Sequence, residues 1–308
     1  MPAPFRRATA SLSPVAHADG VARRFPAVTA LFLLLIVLLL LAACATVRAE
    51  DDTGADPAPT HAIAVPALAR DVARTPTATP EPPPATEVIG HSLQGRPITA
   101  HQVGSGPTTV MLVGGLHTGP EEEATHIVEQ LLAHFEANQA PIPAELRLIF
   151  IPLVNPDGYA LGTRLNAREV DLNRNWPTED WQPTAVHGDQ EVKAGEKPLS
   201  EPETRALYDF VIAIEPTFIL SYHAYAALIE DNGIQLAWEL AEAYALAAGL
   251  WHISEWPFYP VTGGFIEAMA EISIAAADVE LARDDPDPFQ RHLNGLQAVL
   301  HALSNSVP

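Results

Sequence analysis

The chain has 308 residues and a formal net charge of −21, from 17 basic and 38 acidic side chains. A surface with this excess of acid repels nucleic acid and anionic lipid headgroups, so we expect no nucleic-acid partner. Cys44 is the one cysteine, which excludes a disulfide within the chain.

The N-terminal residues have the pattern of an export signal. Residues 28–43 are apolar and uncharged, and the four arginines that precede them are Arg6, Arg7, Arg23 and Arg24. A positive region followed by an apolar run is typical of a secretory signal peptide. The sequence "LAAC" at 41–44 resembles the lipobox of bacterial lipoproteins, which implies cleavage before Cys44 and its lipidation. An uncleaved membrane anchor is the alternative, because the run is almost long enough to span a bilayer. Both interpretations predict an extracytoplasmic, membrane-tethered protein.

Residues 44–86 are rich in proline, alanine and threonine and lack the apolar spacing needed to bury a core. We predict a disordered linker there, after a signal peptide or anchor at 1–43. Without residues 1–43 the chain keeps 13 basic and 37 acidic side chains, a net charge of −24. The predicted folded domain is 87–308, which is long enough for one well-buried core.

Strands and helices alternate along this domain. Strand-like apolar runs occupy 108–115, 146–154, 216–223 and 272–281, and helical spacing occupies 121–137, 200–214, 235–248 and about 288–302. This alternation predicts a single α/β domain with a mixed, largely parallel central sheet and helices on both faces. Ligands of such sheets bind at the carboxyl ends of the strands.

Three side chains suited to metal or acid–base chemistry fall at those strand ends, namely His117, His223 and Glu280. Imidazole and carboxylate suit Zn²⁺, and a catalytic zinc keeps three protein ligands and one open position. Glu121 is close enough to His117 in sequence to share a metal with it, and Glu122 is the alternative ligand. Proline followed by glutamates is also typical of an ordinary helix N-terminus, which is the competing interpretation.

A second group of candidates lies in "RLNAREVDLNRNW" at 164–176. It places Arg164, Arg168 and Arg174 within a predicted domain that has ten basic residues. A planar guanidinium is the preferred partner of a carboxylate or a developing oxyanion, so the segment predicts an anion-binding site. The alternative is that these arginines neutralise neighbouring acids.

With these residues in view, the chain resembles the zinc metallocarboxypeptidases of the carboxypeptidase A type, and especially the bacterial branch that includes the murein peptide amidases. The matching stretches occur in the family's order over residues 88–303. They are "GHSLQGRPI" (90–98), "VGGLHTGPE" (113–121), "NPDGYALGTRLNAREVDLNRNW" (155–176), "PLSEPETRAL" (198–207), "SYHAYAALI" (221–229), "YPVTGGFIEA" (259–268) and "DVEL" (278–281).

The resemblance implies a role for each matching residue. One Zn²⁺ per chain would be held by His117, Glu121 and His223, with Asp171 fixing the tautomer of His117. Glu280 would act as general base and acid. The substrate would be bound by Arg164 at the scissile carbonyl, by Asn173 and Arg174 at the terminal carboxylate, and by Tyr259, which closes over it. Ile266, near the floor of the specificity pocket, suggests an apolar terminal residue, whereas the murein amidase likeness suggests diaminopimelate.

The predicted function is therefore zinc-dependent hydrolysis of the C-terminal residue of extracytoplasmic peptides that carry a free C-terminal carboxylate. Two alternatives stay open. One is an N-acyl amino acid deacylase of the aspartoacylase and succinylglutamate desuccinylase type. The other is a non-catalytic peptide-binding lipoprotein, which would explain a His-x-x-x-Glu spacing where the family has His-x-x-Glu. Glu169 is a further departure, since it stands where the family usually has glycine.

Overall fold

The computed structural model describes residues 86–138 and 142–306. Its strands are β1 (Thr86–His91), β2 (Pro97–Gly104), β3 (Thr108–Val113), β4 (Leu146–Ile151), β5 (Thr184–His187), β6 (Gln190–Lys193), β7 (Phe218–Ala224), β8 (Leu228–Asp231), β9 (Trp251–Ile253) and β10 (Ala276–Leu281). Its helices are α1 (Glu122–Asn138), α2 (Pro156–Leu161), α3 (Pro202–Ile214), α4 (Gln235–Ala248), α5 (Phe265–Glu271) and α6 (Pro288–Ser306).

A mixed eight-stranded sheet organises the domain, in the order β1-β2-β4-β3-β7-β10-β8-β9. The four central strands β4, β3, β7 and β10 are parallel to one another, and antiparallel pairs with β2 and β8 flank them. Strands β5 and β6 form a separate antiparallel hairpin. The predicted α/β class with a largely parallel sheet is confirmed.

The central strands are buried on both faces because their apolar side chains alternate between two cores. Val110 and Leu112 of β3 join the core formed with α1, α4 and α6, whereas Met111 and Val113 join the core formed with α3 and α5. Helices therefore cover both faces of the sheet, as a largely parallel sheet requires.

The four predicted strands correspond to β3, β4, β7 and β10, and the four predicted helices to α1, α3, α4 and α6. Two of the strands end earlier than predicted. Strand β3 stops before the glycine pair 114–115, and β4 stops before Pro152. The sequence did not predict β1, β2, the β5–β6 hairpin, β8, β9, α2 or α5.

The predictions for residues 1–43 and for the linker up to residue 85, including Cys44, lie outside the described residues. Within 86–138 and 142–306, no helix combines the length and the apolar character needed to cross a bilayer.

Candidate active site

His117, Glu121 and His223 lie together at the carboxyl edge of the sheet. His117 lies in the turn after β3, Glu121 ends a short 3₁₀ turn (Gly119–Glu121), and His223 lies on β7. Gly115 opens the first of these turns with a φ of 62°, where a Cβ would stand 2.8 Å from Thr125 Oγ1. Glycine is therefore needed where the chain leaves β3 to place His117.

The ligand atoms of these three side chains have the spacing of a zinc site. The distances are 3.1 Å between His223 Nδ1 and His117 Nδ1, 3.3 Å between His117 Nδ1 and Glu121 Oε2, and 3.7 Å between His223 Nδ1 and Glu121 Oε2. Tetrahedral ligands at the usual zinc distances stand about 3.3 Å from one another. The spacing of the cluster therefore fits one Zn²⁺.

Both histidines are neutral at neutral pH, as metal ligation requires. Burial, followed by the charge of Arg164, lowers the pKa of His117 to about 4. Burial also lowers the pKa of His223 to about 3, against the opposing effect of Asp278. Across the 3.1 Å between the two Nδ1 atoms one neutral imidazole can donate to the other, and a bound cation would instead be held by the lone pairs of both.

Asp171 contacts the other side of His117, with its Oδ1 at 2.7 Å from His117 Nε2. Burial would raise the pKa of Asp171, but Arg164 and His117 hold it well below its usual range. An ionised Asp171 accepts the Nε2 proton and leaves Nδ1 free for the metal, which is the tautomer-fixing arrangement.

Of the three successive glutamates, Glu121 alone belongs to the cluster. It is buried, whereas Glu122 is exposed and Glu123 is half-buried at the start of α1. The next two glutamates therefore lie where carboxylates complement the helix dipole.

Arg164 lies against the same cluster. Its Nη1 donates to Glu121 Oε1 and its Nε to Asp171 Oδ2, the latter at 3.3 Å. The guanidinium is mostly buried and lines the cavity described below. A cation in this position faces the space next to the ligand atoms, where a substrate carbonyl would lie.

Arg174 is a buried cation, 2% exposed, and none of the described carboxylates lies within ion-pair distance of it. Its Nε and Nη2 both donate to Val186 O of the β5–β6 hairpin at 3.2 Å, and its Nη1 donates to Asn173 O at 2.6 Å. Asn173 is itself fixed, because its Oδ1 accepts from Phe265 N at 2.8 Å. A buried, unpaired guanidinium in an acidic protein predicts an anionic ligand.

One cavity of about 480 Å³ connects these groups. Its walls include the metal cluster, both arginines, Tyr259 and Glu280, and also residues that the sequence did not predict: His187, Ala224, Tyr225, Ala226, Glu230, Trp256, Phe258, Val261, Glu267 and Asp278. The guanidinium of Arg174 lies 5.9 Å from the centre of the Tyr259 ring. This volume is that of a small-ligand pocket.

The cavity is acidic at the end formed by Glu230, Glu267 and Asp278. Burial, and then repulsion from Asp278, raises the pKa of Glu230 to about 8 and that of Glu267 to about 7. Neither carboxylate has a cationic partner among the described residues. Clustered carboxylates that repel one another favour a bound cation.

Glu280 lies at the end of β10, beside His223 in the parallel register. Burial, and then Asp278, raises its pKa to about 8. A carboxyl group with a raised pKa next to a metal cluster has the character of a catalytic acid or base.

Ile266 lies on α5 and lines a neighbouring cavity that shares Glu230, Trp256 and Glu267 with this one. Its side chain is 2% exposed and packs in the apolar core with Phe265 and Met269, and it is absent from the lining of this cavity. The next residue along α5, Glu267, faces the cavity instead, because one step along a helix turns the side chain by about 100°. Ile266 stays a predicted specificity residue, and Glu267 places a carboxyl group next to it.

A mixed, largely parallel α/β sheet with a His/Glu/His cluster and a carboxylate at its carboxyl edge is the arrangement of a zinc hydrolase. The sequence profile described as zinc carboxypeptidase matches residues 81–231. Murein peptide amidase A from Escherichia coli (strain K12) is 34% identical over 175 residues, which cover 53% of this chain and 69% of that protein. The zinc carboxypeptidase A 1 of Anopheles gambiae is 28% identical over 173 residues, 48% of this chain and 40% of that protein.

Among solved structures, the murein-tripeptide amidase of Escherichia coli O157 superposes with a TM-score of 0.57 at 29% identity, covering 72% of this chain and 92% of that one. Bovine thrombin-activatable fibrinolysis inhibitor shares the fold at a TM-score of 0.61 and 17% identity, over 72% of this chain and 90% of that one. The chain belongs to the zinc carboxypeptidase family. It is a hydrolase of the metallocarboxypeptidase type, its cofactor is Zn²⁺, and its family acts on peptide substrates at their C-terminal residues.

Proposed function

We propose that this enzyme removes a C-terminal residue with an ammonium-bearing side chain from extracytoplasmic peptides, and that diaminopimelate-ended murein peptides are its substrates. The observation that carries the proposal is the charge of one cavity. It has an unpaired Arg174 for a terminal carboxylate and the carboxylates Glu230, Glu267 and Asp278 for a cation. The similarity to murein peptide amidase A supports the same substrate class.

The residues divide between metal binding and substrate positioning. His117, Glu121 and His223 would hold Zn²⁺, which would polarise the scissile carbonyl and lower the pKa of a coordinated water. Arg174 and Asn173 would bind the terminal carboxylate, and Tyr259 would pack over the bound residue. Arg164 would stabilise the negative charge that develops on the carbonyl oxygen as the water oxygen attacks the carbonyl carbon.

Glu280 is the base that this geometry supports. Its carboxylate would take one proton from the attacking water and deliver it to the leaving nitrogen as the C–N bond breaks. The products are a new carboxyl group on the shortened peptide, which then loses its proton to solvent, and a free amine on the released residue. The water is consumed, and Glu280 returns to its starting state.

An export signal and a lipobox-like Cys44 support a location outside the cytoplasm, tethered to the membrane by a lipid or by an uncleaved anchor. A murein substrate is accessible in that location.

The test uses the full-length, zinc-loaded protein with L-Ala-γ-D-Glu-diaminopimelate and, in parallel, L-peptides that end in apolar residues. Mass spectrometry should find diaminopimelate released and the apolar-ended peptides largely intact. Glu280→Gln should keep stoichiometric zinc and lower kcat by a factor of at least about 10². This comparison separates loss of the base from loss of the metal.

Preferential release of apolar residues would overturn the proposed substrate class. Cleavage of small N-acyl amino acids alone would indicate a deacylase, and an absence of zinc and activity would indicate a binding protein. A Glu280→Gln variant with near-normal kcat would remove Glu280 from the mechanism.

A further inference from the structure

His252 has a carboxylate at each of its two ring nitrogens, outside the cavity described above. Its Nδ1 lies 2.7 Å from Glu242 Oε2 of α4, and its Nε2 lies 2.9 Å from Asp231 Oδ2 of β8. A neutral imidazole has one N–H and can donate to only one of these carboxylates, whereas the imidazolium form donates to both. The two carboxylates therefore favour a positively charged ring. In the described part of the chain, no other charged side chain lies within ion-pair distance of His252.

This contact holds a strand that the sheet alone holds weakly. Strand β9 has three residues, lies at the edge of the described sheet and pairs there with β8 only. Directly after β9, Ser254 Oγ donates to the same Asp231 Oδ2 at 2.5 Å. Asp231 is itself fixed, because its side chain is fully buried and its Oδ1 accepts from Gly233 N at 2.8 Å. Side chains therefore anchor β9 to both β8 and α4.

The loop that follows β9, residues 254–263, is called the cavity loop here because it forms part of the wall of the active-site cavity. Its Trp256 and Tyr259 line that cavity and also the neighbouring cavity of about 450 Å³. At the far end of the loop, Gly263 N donates to Thr178 Oγ1 at 3.1 Å. Since the two aromatic residues separate two open spaces, their position depends on the anchors at the ends of the loop.

We infer that His252 is a positioning residue for the peptidase reaction. By joining Asp231 to Glu242, it holds the start of the cavity loop, and through the loop it keeps Tyr259 beside the bound substrate. His252 lines neither cavity, so it acts without touching the substrate. The inference rests on the proposed function in one respect, because it takes from it the contact between Tyr259 and the substrate.

Loss of this anchor should weaken substrate binding and spare the chemical step. A loop that also samples other positions binds substrate only in the fraction of molecules in which it is correctly placed, and the apparent affinity falls by that fraction. The metal cluster and Glu280 lie on other elements, so zinc binding and proton transfer should persist. The expected signature is a raised KM with kcat nearly unchanged.

The experiment compares full-length, zinc-loaded wild-type, His252→Gln and Glu242→Ala on L-Ala-γ-D-Glu-diaminopimelate. Glutamine offers a donor nitrogen to one carboxylate only, so His252→Gln should raise KM about fivefold or more and change kcat by less than about twofold. Glu242→Ala removes an acceptor at the partly exposed end of the contact, which keeps the test valid if His252→Gln does not fold, and should raise KM about twofold or more.

Two further variants sharpen the comparison. The double variant Glu242→Ala/His252→Gln should have the KM of His252→Gln alone, because both changes break the same contact and are not additive. Glu239→Ala is the matched control, since it removes the same charge from the same helix. The Glu239 carboxylate accepts from Gln235 instead of His252, so this variant should have the kinetics of wild-type.

Hydrogen–deuterium exchange, read by mass spectrometry, gives a measurement that needs no substrate. Amides of the cavity loop should exchange faster in His252→Gln and Glu242→Ala than in wild-type, and those of residues 114–121 at the metal site should not. Unchanged exchange in the loop, or faster exchange without a rise in KM, would overturn the inference while the peptidase activity stands. A loss of zinc or a fall in kcat at unchanged KM would also overturn it. If wild-type cleaves no peptide, the proposed function falls, and the exchange result alone decides whether His252 anchors the loop.

Discussion

Glu169 adopts a left-handed backbone conformation, with a φ of 60°, in the turn that precedes Asp171. Its carboxylate is 77% exposed, forms an ion pair with Lys193 at 2.7 Å and is not part of the cavity wall. The left-handed region disfavours any residue with a Cβ, and glycine alone adopts it freely. The backbone conformation of Glu169 is therefore unfavourable for a residue with a Cβ. Its carboxylate contributes no charge to the cavity.

Replacement of Glu169 separates these two effects. Glu169→Ala removes only the exposed ion pair, which contributes about 0–1 kcal/mol. Glu169→Gly removes the ion pair and also the conformational cost, so it should be more stable than Glu169→Ala by about 1 kcal/mol. Urea unfolding of both variants measures the difference. Equal stability would show that the turn imposes no cost on a Cβ. Both variants should keep wild-type kcat/KM, since the side chain lies outside the cavity.

Residues of the metal cluster were predictable, whereas those of the acidic end were not. His117 and Glu121 are neighbours in sequence, and His223 ends a long apolar run, so a local pattern identifies them. Glu230 and Glu267 reach the cavity only through the pairing of β8 with β10 and the rotation of α5, which no local pattern encodes. The predicted role of Ile266 as the pocket floor stays a prediction, and nothing in the sequence indicated the carboxyl groups beside it.

Among the secondary-structure elements, length decided what the sequence could predict. The central strands and the four long helices have enough residues to show a clear apolar period. Strand β8 and the β5–β6 hairpin have four residues in each strand, and tertiary pairing holds them in place. These short elements carry Glu230 and fix Arg174, so the groups proposed to select a substrate are positioned by elements too short to predict from the sequence.

Helices α4 and α6 pack closely at Gly295, where a Cβ would lie 2.7 Å from the ring of Tyr244. That ring is fixed, because its hydroxyl hydrogen-bonds His292 Nδ1 at 2.7 Å and the Tyr222 hydroxyl at 3.3 Å. Glycine at this position has a lower helix propensity than alanine, but it allows the two helices to come into contact.

Gly295→Ala should therefore destabilise the domain even though alanine is the better helix former. The gain in helix propensity is about 1 kcal/mol, and overpacking a fixed neighbour costs about 1–3 kcal/mol, so we expect a net loss of about 1 kcal/mol. Chemical denaturation measures this loss, and Gln297→Ala on the exposed face of α6 should leave stability nearly unchanged. A stabilised Gly295→Ala would mean that Tyr244 can move aside.

At the scale of the whole molecule, this acidic protein has several of its carboxyl groups in a buried cavity. The pKa of Glu230 is raised to about 8 by burial and by Asp278, so the group is mostly protonated at neutral pH when no ligand is bound. A folded-state pKa above the unfolded value means that the folded form holds the proton more tightly. The contribution to stability is then complete below about pH 4.5 and is lost as the pH rises towards 8.

Glu230→Gln removes the titratable group and with it this contribution to the pH dependence of stability. The side-chain oxygen of glutamine can still accept from the backbone N–H of Trp256. The free energy of unfolding of the variant minus that of wild-type should therefore grow between pH 5 and pH 8, by roughly 1 kcal/mol per pH unit at the steepest part. The buried histidines His117 and His223 have folded-state pKa values of about 4 and about 3, so they alter stability between those values and the unfolded value of 6.5. They are common to both proteins and cancel in the difference. Urea unfolding of both proteins measures this difference in the free energy of unfolding. A chelator is added because zinc binding is itself pH-dependent and would add its own contribution. A difference that stays constant with pH would show that Glu230 is ionised in the free enzyme. The cavity would then present a full negative charge to its ligand at neutral pH, without releasing a proton on binding.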